Sequence, residues 1–208
     1  MAGFDDAERE RIRRQLRETG RDLFARYGLD KTTIGDLTTP AGIANGTFYR
    51  FYDSKEQLYF EILREEGERI ATDLLAESFE RVGDGKEELD PEEAIVAFLT
   101  LLCEEIETNP LVRRLVADDD RSRLMAQFSD EELEAERAES LSYVVPYVER
   151  WQAEGRLREG DPEVLAAAMG VVKFVAYRKD DFGDDEFYRA VRDVLIEAVA
   201  AGLTTRKG

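Results

Sequence analysis

Apolar residues along the chain recur at intervals of three and four and not of two, so the pattern predicts helices almost throughout and no strand. Ile12, Leu16, Leu23, Phe24 and Tyr27 fall on one face of a first helix that Gly28 stops. Thr32 or Thr33 can cap a short second helix, which Pro40 and Gly42 end, with the missing N–H of Pro40 expected to shorten it. A third short helix covers roughly residues 44 to 51, and Asp53 or Ser54 caps a long fourth one reaching about residue 82. Further helices are predicted at about 91–108, 111–128, 130–154, 162–179 and 184–202, with Pro146 bending the one it falls in. The fold class is therefore all-α, about nine helices, with a helix-turn-helix domain over 1–53 and a helical domain over 54–208.

Two of these helices are more apolar than a surface helix needs. The segment PEVLAAAMGVVKFVAY is apolar nearly all round, and Phe187, Val191, Val194, Leu195, Ala198 and Val199 make a broad stripe on the last helix. Two such helices meeting their copies across a two-fold axis would build a four-helix bundle, so a homodimer through the last two helices is expected.

Composition narrows the chemistry. The chain of 208 residues contains no histidine and one cysteine, Cys103. Nucleophilic Ser/His and Cys/His sites and His-containing zinc sites are thereby removed, and no intrachain disulfide can form. The reading is not an enzyme, with no cofactor and no metal. The acid runs at 118–120 and 129–139 lack the spacing of a calcium loop and read as hydrated surface. The start carries no apolar leader and the longest nearly uncharged run, at 164–172, is too short to cross a bilayer, so a cytoplasmic protein without membrane contact is expected.

Charge divides the chain unevenly. The net charge is −18, yet residues 1–55 hold 10 basic and 9 acidic groups, whereas residues 56–208 hold 19 basic and 38 acidic ones. A segment spared the acid load points to a nucleic-acid face. The acidic remainder, with 23 Arg among the 29 basic residues, resembles cytoplasmic proteins of salt-accumulating, haloarchaeal-type organisms.

The stretch ETGRDLFARYGLDKTTIGDLTTPAGIANGTFYRFYDSKEQLYFEIL resembles the amino-terminal DNA-binding domain of the TetR family of transcriptional regulators. The features that carry the resemblance are Leu23-Phe24 before Tyr27-Gly28, Thr32-Thr33-Ile34, Asp36-Leu37, Ala41-Gly42-Ile43, Gly46-Thr47-Phe48-Tyr49 and Ser54-Lys55-Glu56 with Leu58. The residues themselves suit the task. Gly42 allows a positive φ in the turn, and small residues at Ala44 and Gly46 let a helix sit deep in a major groove. Thr47 suits a base edge or thymine methyl, Asn45 suits adenine, and Tyr49, Arg50 and Lys55 suit phosphates. By the resemblance, Tyr49 and Lys55 clamp the backbone, while Thr33, Ala44, Asn45, Gly46 and Thr47 lie at or near the bases, with Thr32 beside them. Tyr49 as a packing residue is the alternative.

In the second domain, Tyr143, Tyr147 and Trp151 recur around Pro146, and Phe98, Leu102, Cys103, Met125, Phe128, Phe174 and Tyr177 can line the same space for a small, largely apolar effector. Core packing is the alternative for each. The function these readings imply is a dimeric regulator of double-stranded DNA, a repressor released from a palindromic operator by that effector. The alternative is a DNA-binding regulator or architectural protein controlled by a protein partner.

Overall fold

A computed structural model of the chain describes residues 4–80, 90–117, 124 and 126–205. Its helices are α1 (Asp6–Lys31), α2 (Ile34–Ala41), α3 (Asn45–Phe48), α4 (Lys55–Ser78), α5 (Pro91–Thr108), α6 (Pro110–Ala117), α7 (Asp130–Ser142), α8 (Val145–Ala153), α9 (Pro162–Val171), α10 (Lys173–Tyr177) and α11 (Asp185–Leu203), with a 3-10 turn at Lys179–Phe182. The fold class is all-α. Among the described residues the only ladder pairing is an isolated bridge between Leu157 and Thr204. No helix among them is long and apolar enough to cross a membrane.

The chain divides into two units, one of Met1–Glu66 with Asn109–Ser129, the other of Gly67–Thr108 with Asp130–Gly208. The first unit runs past the 53/54 boundary expected from the sequence, through the opening turns of α4, and takes in α6.

In the first unit α1 starts on Asp5, whose carboxylate accepts from Glu8 N at 2.7 Å. Gly28 interrupts α1 with φ +77°, so the helical run stops where the sequence placed its end and a short turn carries the chain to Thr32. The core gathers Ile12, Leu16 and Phe24 of α1 with Leu37, Phe48, Leu58, Tyr59 and Ile62. Gly20 brings α1 and α4 together: a Cβ there would stand 2.8 Å from Ile62 Cδ1.

Charged side chains close this unit on its other side. Arg17 reaches Glu61 at 3.1 Å and Glu65 at 3.3 Å, and the Tyr52 hydroxyl donates to Glu61 at 3.2 Å. Burial, then the Glu61 charge, pushes the Tyr52 phenol well up. Arg21 pairs with Glu66, a carboxylate buried to 6% exposure. Asn109 Nδ2 donates to the same carboxylate at 2.7 Å while Asn109 Oδ1 caps α6, accepting from Leu111 N at 3.0 Å and Val112 N at 3.2 Å. One asparagine thus joins α6 to the α1–α4 pair.

In the second unit α5 packs against α10 and α11, and α9 against α8 and α11. Glu107 of α5 accepts from Tyr188 at 2.8 Å, Arg192 at 3.3 Å and Lys179 at 3.1 Å, so its half-buried charge is met by three partners. The turn after α8 lies along the end of α11, with Arg158 N donating to Leu203 O at 2.8 Å and Thr205 N to Arg156 O at 3.1 Å.

Two sequence expectations are corrected. Pro146 does not bend a continuous helix: α7 ends at Ser142 and α8 begins at Val145, so the proline sits in a first turn, where its missing N–H costs nothing. The predicted 162–179 helix is likewise two, because bonds tighten to i→i−3 at Val172 N to Met169 O (3.2 Å) and Val175 N to Val172 O (3.0 Å). The short α2 ends at Ala41 with Gly42 as its cap, where Pro40 and Gly42 were expected to end it. The acid run at 118–120 and residues 81–89, which include the end expected for the fourth helix, lie outside the described residues.

Candidate nucleic-acid interface and aromatic cluster

The turn between α2 and α3 is locked at both ends by its own sequence. Thr33 and Asp36 form a reciprocal cap: Asp36 N donates to Thr33 Oγ1 at 3.2 Å and Thr33 N to Asp36 Oδ2 at 2.9 Å. The Thr33 hydroxyl and then its backbone N–H hold the Asp36 carboxyl below the usual carboxylate range. At the far end Gly42 has φ +68° and ψ 30°, and Gly42 N reaches Thr39 O at 3.1 Å while Ile43 N reaches Thr38 O at 3.2 Å. This paired closure requires a left-handed residue, which glycine supplies without strain.

The α3 segment that follows is four residues long and divides by depth. Phe48 is fully buried. Ala44, Asn45, Gly46, Tyr49 and Arg50 are exposed, and Thr47 is half-buried. Tyr49, 58% exposed, meets Phe48 edge to face at 5.6 Å between centroids, so one contact steadies a side chain that is otherwise open to solvent. Arg50 lies over the Phe4 ring at 5.2 Å, and Phe4 in turn rests 6.0 Å from Phe51. Thr38 touches Asn45 Oδ1 at 2.7 Å, tying the first residue of α3 to α2.

Two residues of the expected DNA-facing set are engaged inward. Thr32 is 1% exposed and its hydroxyl donates to Gly28 O at 2.8 Å. Lys55 Nζ donates to Leu29 O at 2.6 Å and Thr32 O at 3.1 Å. An ammonium has three donors, so one remains for an outside acceptor. Lys55 therefore holds the turn after α1 against the start of α4, beside any contact it makes to a phosphate. Thr38, Phe4 and Asp36 went unnoticed as supports in the sequence; only the Thr33–Asp36 spacing carried a signal, that of a capping box.

In the second unit three of the expected effector residues come together. Phe98, Tyr147 and Trp151 surround Phe79, at centroid distances of 5.0, 5.1 and 4.9 Å, and Tyr147 stands 6.3 Å from Trp151. The Tyr147 hydroxyl donates to Glu80, and burial followed by that bond pushes the phenol up to about 12. Cys103 is buried in α5, and burial pushes its thiol up to about 11. Leu102 and Tyr143 are half-buried. Phe174 and Tyr177 pair edge to face at 5.7 Å on α10, apart from the cluster. Phe128 belongs to the first unit, 4.0 Å from Phe60. Met125 lies outside the described residues. Phe79, the centre of the cluster, was missed because it follows the last turn of α4, where helical spacing from Leu75 was its only signal.

Residues 16–62 match the family described as bacterial regulatory proteins, tetR family. The chain is 37% identical over 59 residues to the HTH-type transcriptional repressor Rv1474c of Mycobacterium tuberculosis, covering 28% of this chain and 32% of that protein. It is 35% identical over 97 residues to the HTH-type transcriptional repressor KstR2 of Rhodococcus jostii, covering 47% of this chain and 44% of that one. These matches thus span less than half the length of either relative. The solved structure of a TetR-family transcriptional regulator from Pectobacterium atrosepticum superposes with a TM-score of 0.75 over 99% of this chain and 100% of its own, at 20% identity, a likeness of fold. Residues 16–62 thus carry the amino-terminal domain of the TetR family of regulatory proteins, and the chain as a whole shares the fold of that solved regulator.

Proposed function

We propose that the protein is a dimeric, sequence-specific DNA-binding transcriptional regulator, a repressor released from a palindromic operator by a small, largely apolar ligand. The observation that carries the reading is the division of α3 by depth: Phe48 anchors the segment while Asn45, Gly46, Tyr49 and Arg50 stand exposed on a turn locked by Gly42 and by the Thr33–Asp36 cap. Such an element brings base-reading groups and phosphate-binding groups to one edge. Asn45 and Thr47 read bases, Gly46 and Ala44 allow close approach, and Tyr49, Arg50 and the spare donor of Lys55 hold phosphates.

Dimerisation is supported by where large apolar side chains remain in solvent. Of the exposed ones, Val164 and Val171 lie on α9, Phe174 on α10, and Phe187, Val194 and Leu195 on α11. Val164 and Val171, like Phe187 and Val194, are seven residues apart and so share a helix face. A second copy covering these faces would bury them in a four-helix contact and set two reading heads against two half-sites. Release by a ligand requires that the ligand bind the two states of the dimer unequally. The Phe79 cluster is the place offered for it.

Selection from a random duplex pool tests the reading, with Tyr49→Ala as control because Tyr49 is exposed and its loss leaves the Phe48 core in place. Enrichment of an inverted repeat by the wild type and its loss with the variant are expected. No enrichment by a folded dimer at any salt concentration would overturn the proposal.

A further inference from the structure

The aromatic cluster of the second unit contains one group that nothing in it satisfies. Trp151 is 1% exposed, and its indole Nε1–H has no hydrogen-bond partner among the described residues. A buried indole N–H ordinarily finds an acceptor, because the water it gave up is not replaced by ring faces, which accept only weakly. Around it stand Phe79, Phe98 and Tyr147, with Phe79 in contact with all three other rings.

The position of Phe79 in the chain is as telling as its contacts. It lies one residue beyond α4, held by Phe79 N to Leu75 O at 2.8 Å, and the next residue closes the helix end with Glu80 N to Leu75 O at 3.0 Å. Glu80 also takes the Tyr147 hydroxyl, which latches the helix end to α8. Among the described residues, withdrawing Phe79 unwinds a terminal turn and parts one exposed hydrogen bond, whereas withdrawing Phe98 would mean breaking into the middle of α5.

We infer that the Phe79 ring occupies the seat of a ligand, and that the cage of Phe98, Tyr147 and Trp151 takes a flat, uncharged aromatic ring bearing a hydrogen-bond acceptor directed at Trp151 Nε1. The ring faces disfavour an anion, and the Arg150 guanidinium already lying over Tyr147 and Trp151, at 5.5 and 6.0 Å, disfavours a second cation. The one polar side-chain atom among these rings left unsatisfied is a donor, which selects for a carbonyl or ether oxygen. A ligand that replaces Phe79 regains the ring contacts the cage already makes and adds the hydrogen bond that Phe79 cannot make. This inference rests on the reading of the second unit as effector-binding and is tested by binding alone, without DNA.

Trp151 is the only tryptophan in the chain, so a proton–nitrogen correlation spectrum of the full-length protein contains a single indole N–H resonance. Acetophenone and ethylbenzene are the probes: they match in size and differ by the carbonyl oxygen. Acetophenone is expected to move the indole resonance downfield saturably, at one molecule per chain, and to bind at least tenfold more tightly than ethylbenzene. Trp151→Phe should abolish that preference, read by calorimetry, and Phe79→Leu, which keeps an apolar filling, should tighten acetophenone binding several-fold. An indole resonance that does not move in the wild type, or equal affinity for the two probes, overturns the inference. Binding that leaves an operator complex intact would sustain it and overturn release by ligand; release by a compound that leaves the indole resonance unmoved would overturn this inference and sustain release.

Discussion

Asn109 does two things at once, and substitutions can separate them. Its Oδ1 caps α6 through Leu111 N and Val112 N, and its Nδ2 donates at 2.7 Å to the buried carboxylate of Glu66. A hydrogen bond to a charged group contributes about 1.5–3 kcal/mol, and an amino-terminal cap about 1 kcal/mol. Asn109→Ala loses both and should cost about 2.5–4 kcal/mol. Asn109→Ser keeps a good cap but cannot reach Glu66, so the cost falls to about 1.5–3 kcal/mol. Asn109→Asp is the decisive case. Aspartate caps as well as asparagine, yet here it removes the donor and sets a second carboxylate against Glu66, so it should cost at least as much as serine. The assay is urea unfolding followed by far-UV circular dichroism, with Trp151 emission as the second unit's own signal, because the chain's one tryptophan lies there. An Asn109→Asp protein within about 0.5 kcal/mol of wild type would show that only the cap matters, and would refute the role given to Glu66.

Three further outcomes follow from single observations. Gly42→Ala meets no atom within 4 Å, so its cost is the left-handed backbone alone, about 1–2 kcal/mol less a few tenths regained from the unfolded chain, and Gly42→Asn should recover most of it in the same urea assay. Cys103 should resist iodoacetamide at pH 8 and react on addition of urea. Because the fold favours its neutral thiol, with a raised value of about 11 against 9.0 for the free group, its contribution to stability is full below about pH 9 and is lost as pH rises through 11, as pH-dependent melting would register; free-thiol rates in the native protein contradict this. Val194→Asp, at a side chain 66% exposed, should leave the helical content unchanged and turn a dimer into monomers by sedimentation; an unchanged dimer would move the interface elsewhere.

Much of the first unit was legible because local rules and the global fold agree there. Gly28 and Gly42 are both at positive φ where the sequence required a stop, and Thr33, one of the two caps it offered, holds the start of α2. The inward engagement of Thr32 and Lys55 was not legible, since the carbonyls they meet belong to residues up to 26 positions away in the chain. Pro146 illustrates the opposite failure: helical periodicity continued across it, but a proline in a first turn and a proline in a helix middle leave the same mark on an apolar pattern. The aromatic cluster was half legible. Tyr147 and Trp151 share a face by spacing, and only tertiary packing brings Phe79 and Phe98 to them.

The most direct test of the account compares Thr47→Ala with Tyr49→Ala on the selected duplex and on every single-base variant of one half-site. If α3 reads bases while Tyr49 holds the backbone, Tyr49→Ala should weaken all duplexes by a similar factor, and Thr47→Ala should flatten the preference at one position in each half-site by about 1–3 kcal/mol. Both variants binding every duplex as the wild type does would contradict the assignment of α3 to DNA.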